Sequence, residues 1–357
     1  MKKYRRLTVI LALVFILAGC NSNRDGSNTG EIPETEAEEI SADTEITERG
    51  EKTVTTATLP KELAQIPEDY FEESEYPGTL VELEYDTYES MTYEEQGQVL
   101  HKRAIVYLPY GYSEEEKYNV FYLMHGGWSD ETVYLGTPDR PAAFKNVLDN
   151  GMADGAIQPM IVVCPTYNNT SPDDSGNYSL AIRLTDNYHR ELVNDLMPAV
   201  EGTYSTYAED TTPEGLQDSR DHRAFAGFSM GSVATWRTFQ YCLDYFRYFM
   251  PSSGNLTSDG EYMASIVTDS GHTWSDFFIF AASGTDDFAY SSFKYQIEAM
   301  ADVSDGTFRY ADNEKDGNLY FLEQEGGTHS GEYAMGIFLQ WAVLDLAVIK
   351  SQMDMRA

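Results

Sequence analysis

The sequence predicts an α/β domain, a mostly parallel central sheet with helices on both faces, from three observations. The runs 119–124 and 160–164 are continuously apolar, as expected of strands buried on both faces. Helical stretches alternate with these and further strand-like runs. The chemically distinctive residues fall just past the C-terminal ends of the runs, where sites in such sheets lie.

Residues 79–88 and 99–109 read as strands, the second alternating through Ala104, Val106 and Leu108. A polar loop joins them, so they form an antiparallel start to the sheet. The run 119–124 leads into His125-Gly126-Gly127-Trp128. Residues 142–152 read as a helix. The run 160–164 is followed by Pro165-Thr166-Tyr167 and a polar loop, and 188–204 reads as a helix. Strand 223–228 enters Gly227-Phe228-Ser229-Met230-Gly231, with a helix over 233–245. Strands follow at 247–251, 277–282 and 319–323, and helices at 260–270, 291–303 and 331–350.

The first residues predict a targeting segment. Lys2, Lys3, Arg5 and Arg6 precede a short apolar core over 7–17, too short to span a bilayer comfortably. The core ends in Leu17-Ala18-Gly19-Cys20, which resembles a bacterial lipobox. The resemblance implies a signal peptide over 1–19, lipidation of Cys20, and an extracytoplasmic protein anchored to the membrane or cell surface. Residues 20–58 lack aromatic residues and are rich in Glu, Thr, Ser, Asn and Asp, which predicts a disordered acidic tether. The folded domain is expected over 59–357.

With 24 Lys and Arg against 59 Asp and Glu, the formal net charge is −35. Such a surface repels phosphate backbones, which argues against a nucleic-acid partner. Three scattered cysteines, Cys20, Cys164 and Cys242, make neither a disulfide framework nor a metal site. Cys164 and Cys242 read as buried free thiols.

The Gly-x-Ser-x-Gly pentapeptide between strand and helix reads as a nucleophile elbow with Ser229 at its apex. A side chain at 227 or 231 would crowd the adjacent strand and helix. The Met230 N–H, at the helix start, points to where an oxyanion would form. A base that follows the serine in chain order is His272 or His329. His272 precedes a strand, at the wrong end. His329 follows strand 319–323 through Gly326-Gly327-Thr328, which places it over the elbow. The carboxylate that orients the base is Asp286 or Asp287, both at the end of strand 277–282; chemistry alone does not choose between them. Gly127 N–H is the candidate for the second oxyanion donor, and His125 reads as a structural hydrogen-bonded residue. Trp128, Tyr134 and Tyr167, on strand-end loops, are candidates to line an aromatic pocket. The chemistry requires no metal or organic cofactor.

Six stretches carry a family resemblance. They are residues 121–127, 204–209, 223–231, Cys242-Leu243-Asp244-Tyr245 with Tyr248-Phe249-Met250-Pro251, residues 296–300, and Gly327-Thr328-His329. Together they resemble the feruloyl esterases of carbohydrate esterase family one, particularly the modules of clostridial cellulosome and rumen xylanases. The resemblance spans about 85–341. It implies the α/β-hydrolase fold and hydrolysis of hydroxycinnamoyl esters on arabinoxylan through an acyl-enzyme. In that family the acid ends a Gly-[Ser/Thr]-x-Asp turn, which carried over selects Asp287. Two departures stand out. The turn here reads Gly284-Thr285-Asp286-Asp287, with an extra acid. Residues 252–276, where relatives often place an aromatic over the phenolic ring, offer only Tyr262 and Trp274. The rival readings are an acetyl xylan esterase, an acyltransferase of the mycolyl-transferring type, and a lipoprotein that binds xylan without cleaving it.

Overall fold

A computed structural model of the 357-residue chain describes residues 59–336, apart from 60, 64, 314, 332, 333 and 335. The expected signal peptide, Cys20 and tether lie outside the described residues, as does the expected last helix beyond 336.

Eight strands form one sheet. They are β1 (Thr79–Tyr88), β2 (Val99–Leu108), β3 (Asn119–Met124), β4 (Met160–Cys164), β5 (Arg223–Phe228), β6 (Tyr248–Ser252), β7 (Phe278–Gly284) and β8 (Leu319–Gln324). Their order across the sheet is β1-β2-β4-β3-β5-β6-β7-β8. β1 and β2 pair antiparallel from Thr79↔Leu108 to Tyr88↔Val99, and β2 meets β4 antiparallel. Every other pairing is parallel.

The continuous apolar runs have the expected cause. In β3, Val120, Tyr122 and Met124 enter one buried cluster while Phe121 and Leu123 enter another. β4 divides in the same way, Ile161 and Val163 against Met160, Val162 and Cys164. Side chains alternate between faces, so a strand must be apolar throughout when both faces are covered.

The helices are α1 (Ala143–Ala153), α2 (Tyr178–Asn187), α3 (His189–Glu191), α4 (Met197–Thr203), α5 (Pro213–Asp218), α6 (Met230–Tyr241), α7 (Gly260–Ser270) and α8 (Tyr290–Ala301). One face of the sheet packs against α2, α4, α6, α7 and α8 through residues such as Leu184, Val200, Trp236, Met263 and Ile297. The other packs against α1 through Phe144, Val147 and Leu148, together with Leu59, Tyr70 and Ala334. Cys164 and Cys242 are buried and free.

Some boundaries differ from the sequence reading. The helix expected over 188–204 is α3, a π-helical turn at Leu192–Leu196, and α4. α2 precedes it, where a polar loop is expected. Its start is a capping effect: the Asn177 side chain accepts from Leu180 N–H at 3.0 Å, and Ala181 and Leu184 are buried. α5 begins in the same way, with the Thr212 hydroxyl accepting from Gly215 N–H and Pro213 in the first turn. α6 starts at Met230 and ends at Tyr241, not 233 and 245, because the serine turn itself is its N-terminus.

A buried ion pair anchors the far end of β5. Arg223, 1% exposed, donates Nε–H and Nη2–H to the two Glu201 oxygens at 2.5 and 2.9 Å. Its other donors reach Leu216 O, Tyr245 O and Ser219 Oγ. Glu201 also accepts from Tyr122 and Thr206. Complete pairing is what permits two charges to be buried. It also fixes the root of the strand whose other end carries Ser229.

Candidate active site

Ser229 follows β5 and precedes α6, with φ 60° and ψ −117°. A non-glycine residue with positive φ is strained, by about 1–3 kcal/mol, and persists only where its surroundings hold it. Here the neighbours are backbones in close approach. A Cβ on Gly227 would lie 2.4 Å from the Gly231 carbonyl group, and one on Gly231 would lie 2.3 Å from Met124 O. A third glycine, Gly254, would place a Cβ 2.3 Å from Ser229 O. Gly254 is itself held down, its carbonyl accepting from Ser232 Oγ at 2.6 Å and Trp236 Nε1 at 3.1 Å. The Ser229 N–H donates to Ser252 O at 2.9 Å, which ties the turn to β6.

Asp287 and His329 come from the loops after β7 and β8. These loops touch at their backbones: a Cβ on Gly284 would lie 2.1 Å from Gly327 O. Asp286 N–H donates to Gly327 O, and Gly326 N–H to Thr285 Oγ1. The result brings His329 Nδ1 to 2.9 and 2.8 Å from the Asp287 oxygens. A carboxylate only accepts, so Nδ1 is the nitrogen that donates, and in the neutral ring that leaves Nε2 as the one with a lone pair. Asp286 is exposed and makes that backbone contact, so of the two adjacent acids it is Asp287 that meets the imidazole. Burial alone would raise the Asp287 carboxyl, but the His329 hydrogen bond and the Ala289 N–H at 2.7 Å hold it below the ordinary aspartate value.

The His329 imidazole contacts two phenyl rings. Phe228, the residue before Ser229, is 4.4 Å away between centroids, and Phe288 is 4.3 Å away. The contact with Phe228 places the base beside the elbow. Neither phenylalanine is among the residues singled out from the sequence, because a ring contact across three strand-end loops leaves no local signature.

On the other flank is the loop after β3. His125 is buried, and burial lowers it to about 4, so it is neutral at ordinary pH. Its Nδ1–H donates to Gly126 O at 2.7 Å, and its Nε2 accepts from the Thr166 hydroxyl at 2.7 Å. The Tyr167 hydroxyl donates to the same Gly126 oxygen at 2.9 Å, while its ring stacks on His125. His125 is thus structural, as its place in the sequence suggests. The peptide is planar, so two donors on Gly126 C=O also set the direction of Gly127 N–H. A Cβ on Gly127 would meet only Ser175 O, at 3.6 Å, so packing does not require glycine there. Thr166 O accepts from Lys102 Nζ at 2.8 Å, and Lys102 pairs with buried Glu191.

The three candidate pocket aromatics separate. Trp128 is 75% exposed at φ 56°, its N–H donating to Ser175 O. Tyr167 is buried under the loop and bonded to Gly126, which corrects its expected place in an aromatic pocket. Tyr134 is corrected likewise: it is buried in the cluster that contains Phe144 and Leu148. Trp274, at the opposite end of β7, lies under the Arg309 guanidinium at 4.3 Å. His272 pairs with Asp244 at 2.8 Å. A cleft of about 820 Å³ beside β1, β2 and residues 168–172 is lined by none of Ser229, Asp287 or His329. Among its charged lining residues, His101 pairs with Asp86 and Arg103 with Glu131.

An eight-stranded α/β-hydrolase sheet with a serine at a strained strand–helix turn and a His–Asp pair beside it defines a candidate serine hydrolase. A family model described as a putative esterase matches residues 101–278, a stretch that includes the elbow and stops before Asp287 and His329. Endo-1,4-beta-xylanase Y of Acetivibrio thermocellus is 42% identical over 234 residues, 64% of this chain and 20% of that protein. An endo-1,4-beta-xylanase/feruloyl esterase of Xylanibacter ruminicola is 31% identical over 173 residues, 46% of this chain and 20% of that protein. The chain spans about a fifth of the length of these curated relatives. Among solved structures, the feruloyl esterase module of Clostridium thermocellum complexed with sinapinate is 34% identical with a TM-score of 0.68. The match covers 82% of this chain and 95% of that one. The ferulic acid esterase of Anaeromyces mucronatus in the absence of substrate shares the fold, at 19% identity and a TM-score of 0.54, over 78% of this chain and 94% of its own. The chain belongs to this esterase family.

The depressed Asp287 carboxyl has a pH consequence. Stability from its ionisation is present above the unfolded value of about 3.9 and is lost as pH falls through the lower native value. The gap in urea midpoint between wild type and Asp287→Asn should therefore narrow as pH falls below about 4. A gap of constant size down to acid pH would show that ionisation of Asp287 is not its source.

Proposed function

We propose that this chain is a serine esterase that releases hydroxycinnamoyl groups, feruloyl above all, from plant cell-wall arabinoxylan. The observation that carries the reading is the Asp287–His329 pair beside Phe228 and the Ser229 elbow. The choice of acyl group rests on the 34% identity to a feruloyl esterase module complexed with sinapinate, and on the xylanase relatives.

The catalytic sequence is as follows. Ser229 Oγ attacks the ester carbonyl as His329 Nε2 takes its proton, and Asp287 stabilises the imidazolium through Nδ1–H. The N–H groups of Met230 and Gly127 donate to the tetrahedral oxyanion. The C–O bond to the alcohol breaks and His329 returns the proton to the leaving oxygen. Water then adds to the feruloyl-enzyme, again with His329 as base, which frees ferulate and Ser229. Ser229→Ala should lower kcat on methyl ferulate by roughly 10⁶. Asp287→Asn should lose far more activity than Asp286→Asn. Retention of most activity in Ser229→Ala, or the reverse order for the two acids, overturns the assignment.

The double clamp on Gly126 O has its own test. Tyr167→Phe leaves His125 as the one remaining side-chain donor to that carbonyl. The freed peptide should lower kcat about tenfold, less than deletion of a whole oxyanion donor, with KM within about twofold. An unchanged kcat separates Tyr167 from the oxyanion site.

We place the enzyme outside the cytoplasm, held by a lipid on Cys20, a reading supported by the lipobox-like Leu17-Ala18-Gly19-Cys20. The full chain expressed in a bacterium should partition with membranes and incorporate labelled fatty acid, and Cys20→Ala should abolish both. Soluble, unlabelled wild-type protein sinks the anchor.

A further inference from the structure

We propose that Phe288 is the platform for the leaving sugar, and so a determinant of preference for carbohydrate esters over simple ones; this rests on the esterase reading above. Phe288 is 82% exposed, more than any other large apolar side chain among the described residues. A single exposed apolar side chain needs no explanation by itself; what distinguishes Phe288 is that its exposed ring also touches the base, where a ligand can cover it. Its position is fixed from both sides. Asp287 N–H donates to Gly284 O, Ala289 N–H to Asp287 Oδ1, and Tyr290 N–H to Asp287 O, so the segment that carries Phe288 is pinned. Its ring centroid lies 4.3 Å from that of His329, at a tilt of 39°. The imidazole already has an apolar neighbour in Phe228, which is 8% exposed. Phe288 therefore adds exposed ring surface that packing around the base does not use.

The direction of proton transfer says what would cover that surface. His329 returns its proton to the alcohol oxygen, so that oxygen must come within hydrogen-bond reach of Nε2. The carbon bonded to it, the first atom of the sugar, then lies against the imidazole and its exposed neighbour. The acyl carbonyl oxygen faces the other way, toward Met230 and Gly127, on the flank where Trp128 is exposed. A sugar ring presents C–H groups on its faces, and an aromatic face accepts such an apolar surface. Both partners are uncharged, so the contact is indifferent to the −35 charge of the chain.

The test compares kcat/KM for methyl ferulate, which has no sugar, with that for a feruloylated arabinoxylo-oligosaccharide. Phe288→Ala should lower the oligosaccharide-to-methyl-ester ratio roughly tenfold, chiefly through KM for the oligosaccharide, as expected for loss of one aromatic contact. Phe288→Tyr should restore the ratio to within about twofold of wild type. Equal losses on both esters would mean that Phe288 acts only on the base, and no loss on either ester would mean that the sugar passes elsewhere; either overturns the proposal while the esterase reading stands. Wild-type protein that cleaves neither ester overturns the esterase reading, and this inference with it.

Discussion

The site depends on one steric constraint, the close approach of backbones around Ser229. The serine is held at φ 60° because Gly227 and Gly231 nearly touch, Gly231 abuts Met124 O, and Gly254 abuts Ser229 O. No other residue type fits at these contacts. The strain is distributed over a turn fixed at one end by α6 and at the other by β5, whose root is locked by Arg223 and Glu201. A charge pair at the bottom of the strand and three glycines at its top therefore serve a single side chain.

A second close approach assembles the rest. Gly284 and Gly327 let the loops after β7 and β8 interlock, and that contact, more than the strands, sets the distance between Asp287 and His329. The electrostatics follow from the packing. Asp287 is buried yet ionised because its acceptors are filled by His329 and a backbone N–H. His125 is buried with both ring nitrogens engaged, and stays neutral. Two histidines on opposite flanks of the elbow thus hold different roles: one donates to a carboxylate, the other is a fixed strut.

The strut extends further than the motif. Lys102, paired with buried Glu191, donates to Thr166 O; the Thr166 hydroxyl engages His125; His125 and Tyr167 hold Gly126. The Gly126–Gly127 peptide is thereby oriented by residues from β2, from the loop after β4 and from α3. Preorganised donors of this kind stabilise developing charge without having to reorganise as it forms.

The sequence by itself determined the parallel sheet, since strands covered on both faces must be apolar at every position. It determined the elbow too, because the tight turn needs glycine at 227 and 231 and a strand and helix around it. His329 was legible from chain order and from the glycines before it. Tertiary structure alone decided the rest, for reasons of distance and burial. The chemistry of Asp286 and Asp287 is alike, so only the family resemblance pointed to Asp287; the physical reason is the interlocked loops, which turn it toward the imidazole and leave Asp286 in water. Tyr134, Tyr167 and Trp128 all read as loop aromatics, yet two are buried and one is exposed. Gly254 and Phe288 belong to no motif and Phe228 fills a variable position of one, because each matters through a contact with a residue distant in the chain or folded onto it by the turn. Helices α2 and α5 are not legible in the sequence because side-chain caps, not long apolar periodicity, start them. Short-range patterns record what a residue must be; which residues meet is set by backbones that approach across the sheet.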